Sequence, residues 1–139
     1  MTKAHTAARS GLYYICEAWA RAQSAQLKTY YPGNWGDLHR LDGMLALAHG
    51  DILQARIKVG HALTIATTLT DVPRTIQALD SSVLVLAQPN TAPTAAALLG
   101  LEQRLRKHYA MPVPPSWQPQ LAAVEAQLTM WLSPDQIDH

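Results

Sequence analysis

The sequence predicts an all-α protein, built of antiparallel helix pairs stacked as a short solenoid of about six helices. Three observations predict it. Apolar residues recur every three or four positions along most of the 139 residues, strand-like alternation is scarce, and one pattern returns after about 39 residues. The best strand candidate, "SSVLVLAQ", extends "TIQAL" at helical spacing. Ile76, Leu79, Val83, Leu86 and Ala87 then share one face, so it too is read as helix.

The first helix is expected over 6–30, where Leu12, Ile15, Cys16, Trp19, Leu27 and Tyr30 form a stripe interrupted by Gln23. "YYPGNWG" ends it, because Pro32 and Gly33 continue a helix only at a cost. Asn34, with Asp37 three residues on, is expected to cap the next helix, which stops at Gly50. Asp51 opens a third helix reaching about Leu69, so 35–69 forms a first pair. Asp71 caps a fourth, with Pro73 in its first turn where a missing N–H costs little. "AQPNTAP" stops it, and a fifth helix follows from Thr94 to Tyr109, making 72–109 a second pair. "MPVPPSWQP" is a proline-rich connection, after which Ser116 is expected to cap a last helix over 117–132.

The totals narrow the class. Hydrophobic residues make up 48% and charged residues 15%, enough apolar surface for one folded domain spanning 1–139. A net charge of +1 calls for neither a nucleic acid nor an anionic membrane. Cys16 is the single cysteine, so a reduced thiol inside the helical pattern is expected. No stretch has the ~18 apolar residues of a membrane span, and "MTKAHTAARSGLYY" lacks the apolar core of a signal peptide. These features read as a cytoplasmic protein.

"LALAHGD" (45–51) and "LVLAQPN" (84–90) match at Leu45/Leu84, Leu47/Leu86 and Ala48/Ala87, a spacing of 39; Gly60/Gly100 and Ile65/Leu105 match at 40. With Gly50 as the turn between paired helices, Gly43 falls seven before it, Ala55 five after and Ala62 twelve after. These positions resemble the small-residue positions of the tetratricopeptide repeat, and "HGD" resembles that family's Gly-Asp turn. The resemblance implies close helix contact at Gly43, Ala55 and Ala62, with glycine at positive φ and aspartate as a cap. The glycines and alanines of this stretch, Gly60 among them, are therefore read as spacing between helices rather than chemistry. The second copy departs from the pattern: Ser82 replaces Gly43, Pro89-Asn90 replaces Gly50-Asp51, and Glu102 replaces Ala62. Beyond it, Leu98-Leu99-Gly100, Leu105-Arg106, Pro112-Val113-Pro114-Pro115 and the helix from Gln118 resemble the closing segment of tetratricopeptide-like arrays in large bacterial transcriptional regulators and signalling ATPases. That likeness covers about 35–132. It implies a module that binds proteins or relays a ligand signal.

Carrying the repeat's groove positions onto the chain names Asp37, Arg40, Met44 and Leu47 from the first pair and Ile76, Leu79, Val83 and Leu86 from the second. They would line a shallow apolar channel for a peptide. The competing reading makes the aliphatic ones ordinary core and Asp37/Arg40 a helix-surface ion pair. Tyr13, Trp19, Tyr30, Tyr31 and Trp35 gather aromatic surface around the first loop, an expected self-association site that would make a homodimer.

Chemistry is thinly represented. His39, His49 and His61 show no ligand spacing, and His39 with Asp42 is one pair where zinc needs three or four ligands, so no metal is expected. Ser81-Ser82 stand in no nucleophile elbow, and no glycine-rich phosphate loop precedes a helix. "RLRKHY" (104–109) is the one basic cluster, but cations also favour the last turn of a helix for its dipole. The expectation is a non-enzymatic protein- or peptide-binding scaffold without cofactor, catalytic residues or nucleic-acid partner. The alternatives are a small structural subunit or dimeric accessory protein of a larger complex, and a sensor domain taking a small ligand between helices.

Overall fold

A computed structural model describes residues 32–132. The regular structure among the described residues is entirely helical: α1 (Pro32–Ala48), α2 (Ile52–Thr68), α3 (Val72–Leu86), α4 (Ala92–His108) and α5 (Gln118–Trp131). The expected helix over 6–30 lies outside the described residues. The chain divides into two compact units, 1–75 and 76–139, and α3 begins at the end of the first and continues into the second.

In the first unit α1 and α2 form a tight antiparallel hairpin, and the small residues explain how tight. A Cβ added to Gly43 would lie 2.5 Å from Val59 Cγ2 and 3.2 Å from the Ala55 carbonyl oxygen. One added to Gly36, two turns earlier, would lie 3.2 Å from Ile65 Cγ2. Opposite them α2 buries Ala55, Val59, Ala62 and Ala66. Close approach of the backbones maximises dispersion contact where no large side chain intervenes. Gly60 is different: it is exposed, with nothing within 4 Å of where its Cβ would be, so it is not spacing.

Three helices end in the same way. At the ends of α1, α2 and α4 a left-handed residue turns the chain: Gly50 (φ 78°), Thr70 (φ 55°) and Ala110 (φ 53°). The amide after each donates back to a carbonyl five residues earlier: Asp51 to Ala46 at 2.9 Å, Asp71 to Ala66 at 2.9 Å and Met111 to Arg106 at 2.8 Å. This is the Schellman arrangement, which satisfies the carbonyls a helix end leaves unpaired. After the first two of these turns the next helix starts on aspartate: Asp51 Oδ1 accepts from the Gln54 amide at 3.1 Å, and Asp71 Oδ1 from the Arg74 amide at 3.2 Å.

Several expected boundaries move. α1 starts at Pro32, three residues before Trp35; a proline in the first turn loses no helical hydrogen bond, so "PG" opens this helix. Asn34 is inside α1 and does not cap it; its Oδ1 accepts from Arg74 Nη2 at 2.9 Å. α4 begins at Ala92, not Thr94, again with proline in its first turn, while the Thr91 hydroxyl donates to the Leu86 carbonyl at 2.8 Å. Ser116 does not cap α5. That helix starts from Trp117 without a side-chain cap, and the Trp117 amide donates to the Pro114 carbonyl at 2.9 Å.

Among the described residues the second unit carries the larger core. Val83 and Ala87 meet Ala92, Ala95, Ala96 and Leu99 of α4, with Val124, Leu128 and Leu132 closing it. Full burial of each larger aliphatic contributes about 1.5–3 kcal/mol. α3 is buried on more than one face, since Ile76, Leu79 and Val83 on one side and Ala78, Ser81 and Val85 on another are all inaccessible. Its remaining side carries Arg74, exposed Gln77 and Asp80.

Candidate functional site

Among the described residues, ion pairs gather at two places, one in each unit. In the first, Arg74 at the start of α3 reaches α1. Its Nε donates to both carboxylate oxygens of Asp37, at 3.2 and 3.1 Å, its Nη1 to Asp71 Oδ2 at 2.9 Å, and its Nη2 to Asn34. The guanidinium therefore ties the second turn of α1 to the start of α3, where the Asp71 carboxylate is also favoured by the helix dipole. Asp37, expected at the charged end of a groove, is taken up in this network.

On the same hairpin Trp35, His39 and His61 stack edge to face. Ring centroids are 5.0 Å apart for Trp35–His39 and 5.2 Å for His39–His61. His39 Nδ1 is buried with no hydrogen-bond partner among the described residues. Burial foremost, then the positive charge of Lys58 and the neighbouring His61, holds its pKa below the ordinary histidine value, against a smaller opposing pull from Asp42. The sequence placed these two histidines far apart; the hairpin turn brings them together. Among the described residues no group of three or more His, Cys, Asp and Glu is placed to hold a metal.

The other cluster lies in the second unit, on Arg106 of α4. Its Nη2 donates to Asp80 Oδ2 of α3 at 2.7 Å, its Nη1 to the Pro112 carbonyl at 3.0 Å, and its Nε to Glu102 Oε1 one turn back. Glu102 is 0% exposed and Arg106 8%. This is what stands where the first copy has Ala62: not a flat spot but a buried charge, matched from the same helix. Burial above all, then the Glu102 charge, pushes the Asp80 carboxyl up to about 7, and Arg106 only partly offsets them. Arg106 is thereby withdrawn from the basic run "RLRKHY", in which Arg104, Lys107 and His108 remain exposed. By holding Pro112, Arg106 also shapes an open depression of about 400 Å³ between α4 and the proline-rich connection, lined by Gln103, Lys107, Met111 and Val113.

The remaining expected groove positions divide. Arg40, Met44 and Leu47 on α1 are half-buried, as is Leu86. Ile76, Leu79 and Val83 are 1%, 2% and 0% exposed and belong to the interior. Of the expected self-association residues, Trp35 is half-buried against His39, and Tyr13, Trp19, Tyr30 and Tyr31 lie outside the described residues.

Sequence reasoning did not single out the outward face of α2. There Leu53 and Ile57, one turn apart, are 66% and 41% exposed, followed by open Gly60 and exposed Thr64. Helical spacing from the buried Ala55, Val59 and Ala62 would have put them on the opposite face. Compared with protein-family models, with curated proteins and with solved structures, the chain gives no match.

Proposed function

We propose that the chain is a non-enzymatic helical scaffold of tetratricopeptide-like type that holds a protein or peptide partner. The observation that carries this reading is the exposed Leu53–Ile57 strip on α2. The opposite face of that helix is locked against Gly43, so the strip is presented on a rigid support. Two large aliphatics at i and i+4, flanked by a glycine with open space above it, suit the apolar ridge of an amphipathic helix. Rigid presentation limits the ordering cost of binding, which favours affinity from a small patch. The half-buried Met44 and Leu47 of α1 would extend a contact surface on this hairpin, while Asp37 serves the fold through Arg74.

A photo-activated cross-linker at position 53 or 57, with position 127 of α5 as an exposed control, tests this in the native host. A discrete adduct from 53 and 57 that the control lacks is the expected result. Equal or no labelling at all three positions defeats the reading.

A second reading is a structural subunit whose outer faces assemble a larger complex, without any peptide groove. The burial of Ile76, Leu79 and Val83 favours it over a groove lined by the second helix pair. Light scattering on the purified chain separates homodimeric assembly from partner binding.

A further inference from the structure

Asp80, Glu102 and Arg106 form a charge set that does not balance. Two carboxylates surround one guanidinium, which leaves one excess negative charge in a place where Glu102 is 0% and Arg106 8% exposed. A buried net charge is expensive because water can no longer solvate it. The hydrogen bonds show the same deficit. Arg106 engages Asp80 Oδ2 through Nη2, Glu102 Oε1 through Nε and the Pro112 carbonyl through Nη1, and none of these bonds reaches the second oxygen of either carboxylate. Asp80 Oδ1 and Glu102 Oε2 are buried and have no donor among the described residues. The Ser82 hydroxyl donates to the Ala78 carbonyl instead. The other charged groups of α4 and α5, Arg104, Lys107, His108 and Glu125, are all exposed, and Glu125 accepts from Gln103.

One proton corrects both deficits. It cancels the excess charge and becomes the donor that the two stranded oxygens lack.

We propose that Asp80 and Glu102 are a proton-binding site, holding one shared proton as an acid–carboxylate pair beneath Arg106, and that its release destabilises unit 76–139 as pH rises through neutrality. The proton resides on Asp80 and is donated to Glu102. Burial first, and then the Glu102 charge, favours that protonated form, against the opposing pull of Arg106. The direction of linkage follows. The unfolded chain gives up this proton near the ordinary aspartate value of 3.8, and the folded chain keeps it to about 7. The folded state therefore binds the extra proton throughout that interval, and its stability falls as pH rises across it, levelling off above. Because Arg106 also holds Pro112, the connection after α4 is tied to the same set.

The test compares chemical unfolding of the full chain with that of Asp80→Asn, whose amide supplies a permanent donor without charge. The variant-to-wild-type ratio of folding equilibrium constants should grow with pH, approaching tenfold per unit between about 5 and 7. A ratio independent of pH overturns the proposal. Isotope-edited infrared spectroscopy of labelled aspartate in the wild type supplies a reading that no variant's folding can compromise. A protonated carboxyl should be present at pH 6 and lost near neutrality, and Glu102→Gln should move that loss to lower pH. Absence of the protonated band at pH 6 is fatal to the idea. So is stabilisation at pH 8 by calcium chloride beyond a matched sodium chloride control, which would make the site one for a metal cation.

Discussion

The Cγ2 of Val59 occupies the space into which a side chain on Gly43 would project, 2.5 Å from where its Cβ would stand. The α1–α2 hairpin closes over this contact, and two opposed effects meet there. Alanine is the better helix former by about 1 kcal/mol. A methyl group at that distance, with the Ala55 carbonyl 3.2 Å away on its other side, forces the helices apart. Overpacking wins: Gly43→Ala should destabilise the chain by roughly 1–3 kcal/mol. Urea unfolding measures it, and adding Val59→Ala should recover part of the loss by vacating the space.

Gly60 predicts the opposite sign. It sits within α2 with nothing within 4 Å of its Cβ position, so only the backbone term operates. Gly60→Ala should stabilise by about 0.5–1 kcal/mol. A midpoint of urea unfolding that falls rather than rises would mean that this face of α2 is covered.

Thr70 carries a β-branched side chain at φ 55°, in a position that glycine adopts without strain. Thr70→Gly should raise stability by about 1 kcal/mol, the left-handed penalty exceeding the added freedom of the unfolded chain. Thermal unfolding monitored by circular dichroism reads it as an increased Tm.

Leu79 is 2% exposed, in a helix buried on more than one face. Leu79→Ala should cost about 2–5 kcal/mol, as core truncations do. A variant that keeps full stability in chemical unfolding would return Leu79 to an open surface and restore the groove expected from the repeat.

His39 makes the first unit acid-sensitive. Burial, Lys58 and His61 lower its pKa in the folded chain below 6.5, so the unfolded chain takes up the proton first. Its contribution to stability is intact above pH 6.5 and is lost as pH falls below that value. Asp42, on the same helix, only partly opposes this. His39→Gln should flatten the acid limb of the stability–pH curve, and the His39 ring resonances should titrate below those of an unstructured peptide.

Helix class, the Gly50–Asp51 turn and the Asp71 cap are legible from residues alone, because glycine, proline and aspartate act on backbone within a few positions of themselves. The errors fall where one residue has two competing uses. Pro32 has the chemistry of a helix terminator, yet it stands in the first turn of α1, where its missing N–H costs no helical bond. Asn34 can cap a helix or accept from a guanidinium, and packing brings Arg74, forty positions later, within 2.9 Å of it. Ser116 has capping chemistry, yet the proline-rich connection satisfies the first amides of α5 from Pro114 instead.

The candidate site was less legible for the same reason. Gly36, Gly43 and Gly60 are chemically identical, and which of them separates helices depends on the face each turns inward. His39 and His61 meet only because the turn at Gly50 folds one helix back on the other. Glu102 reads as a surface residue until Arg106, one turn ahead, and Asp80, on another helix, are placed beside it. Local order along this chain is thus written in short-range backbone preferences. Which charges are buried, which glycines are contacts and which aliphatics stay exposed is set by close packing, since burial is a property of distant neighbours rather than of the residue itself.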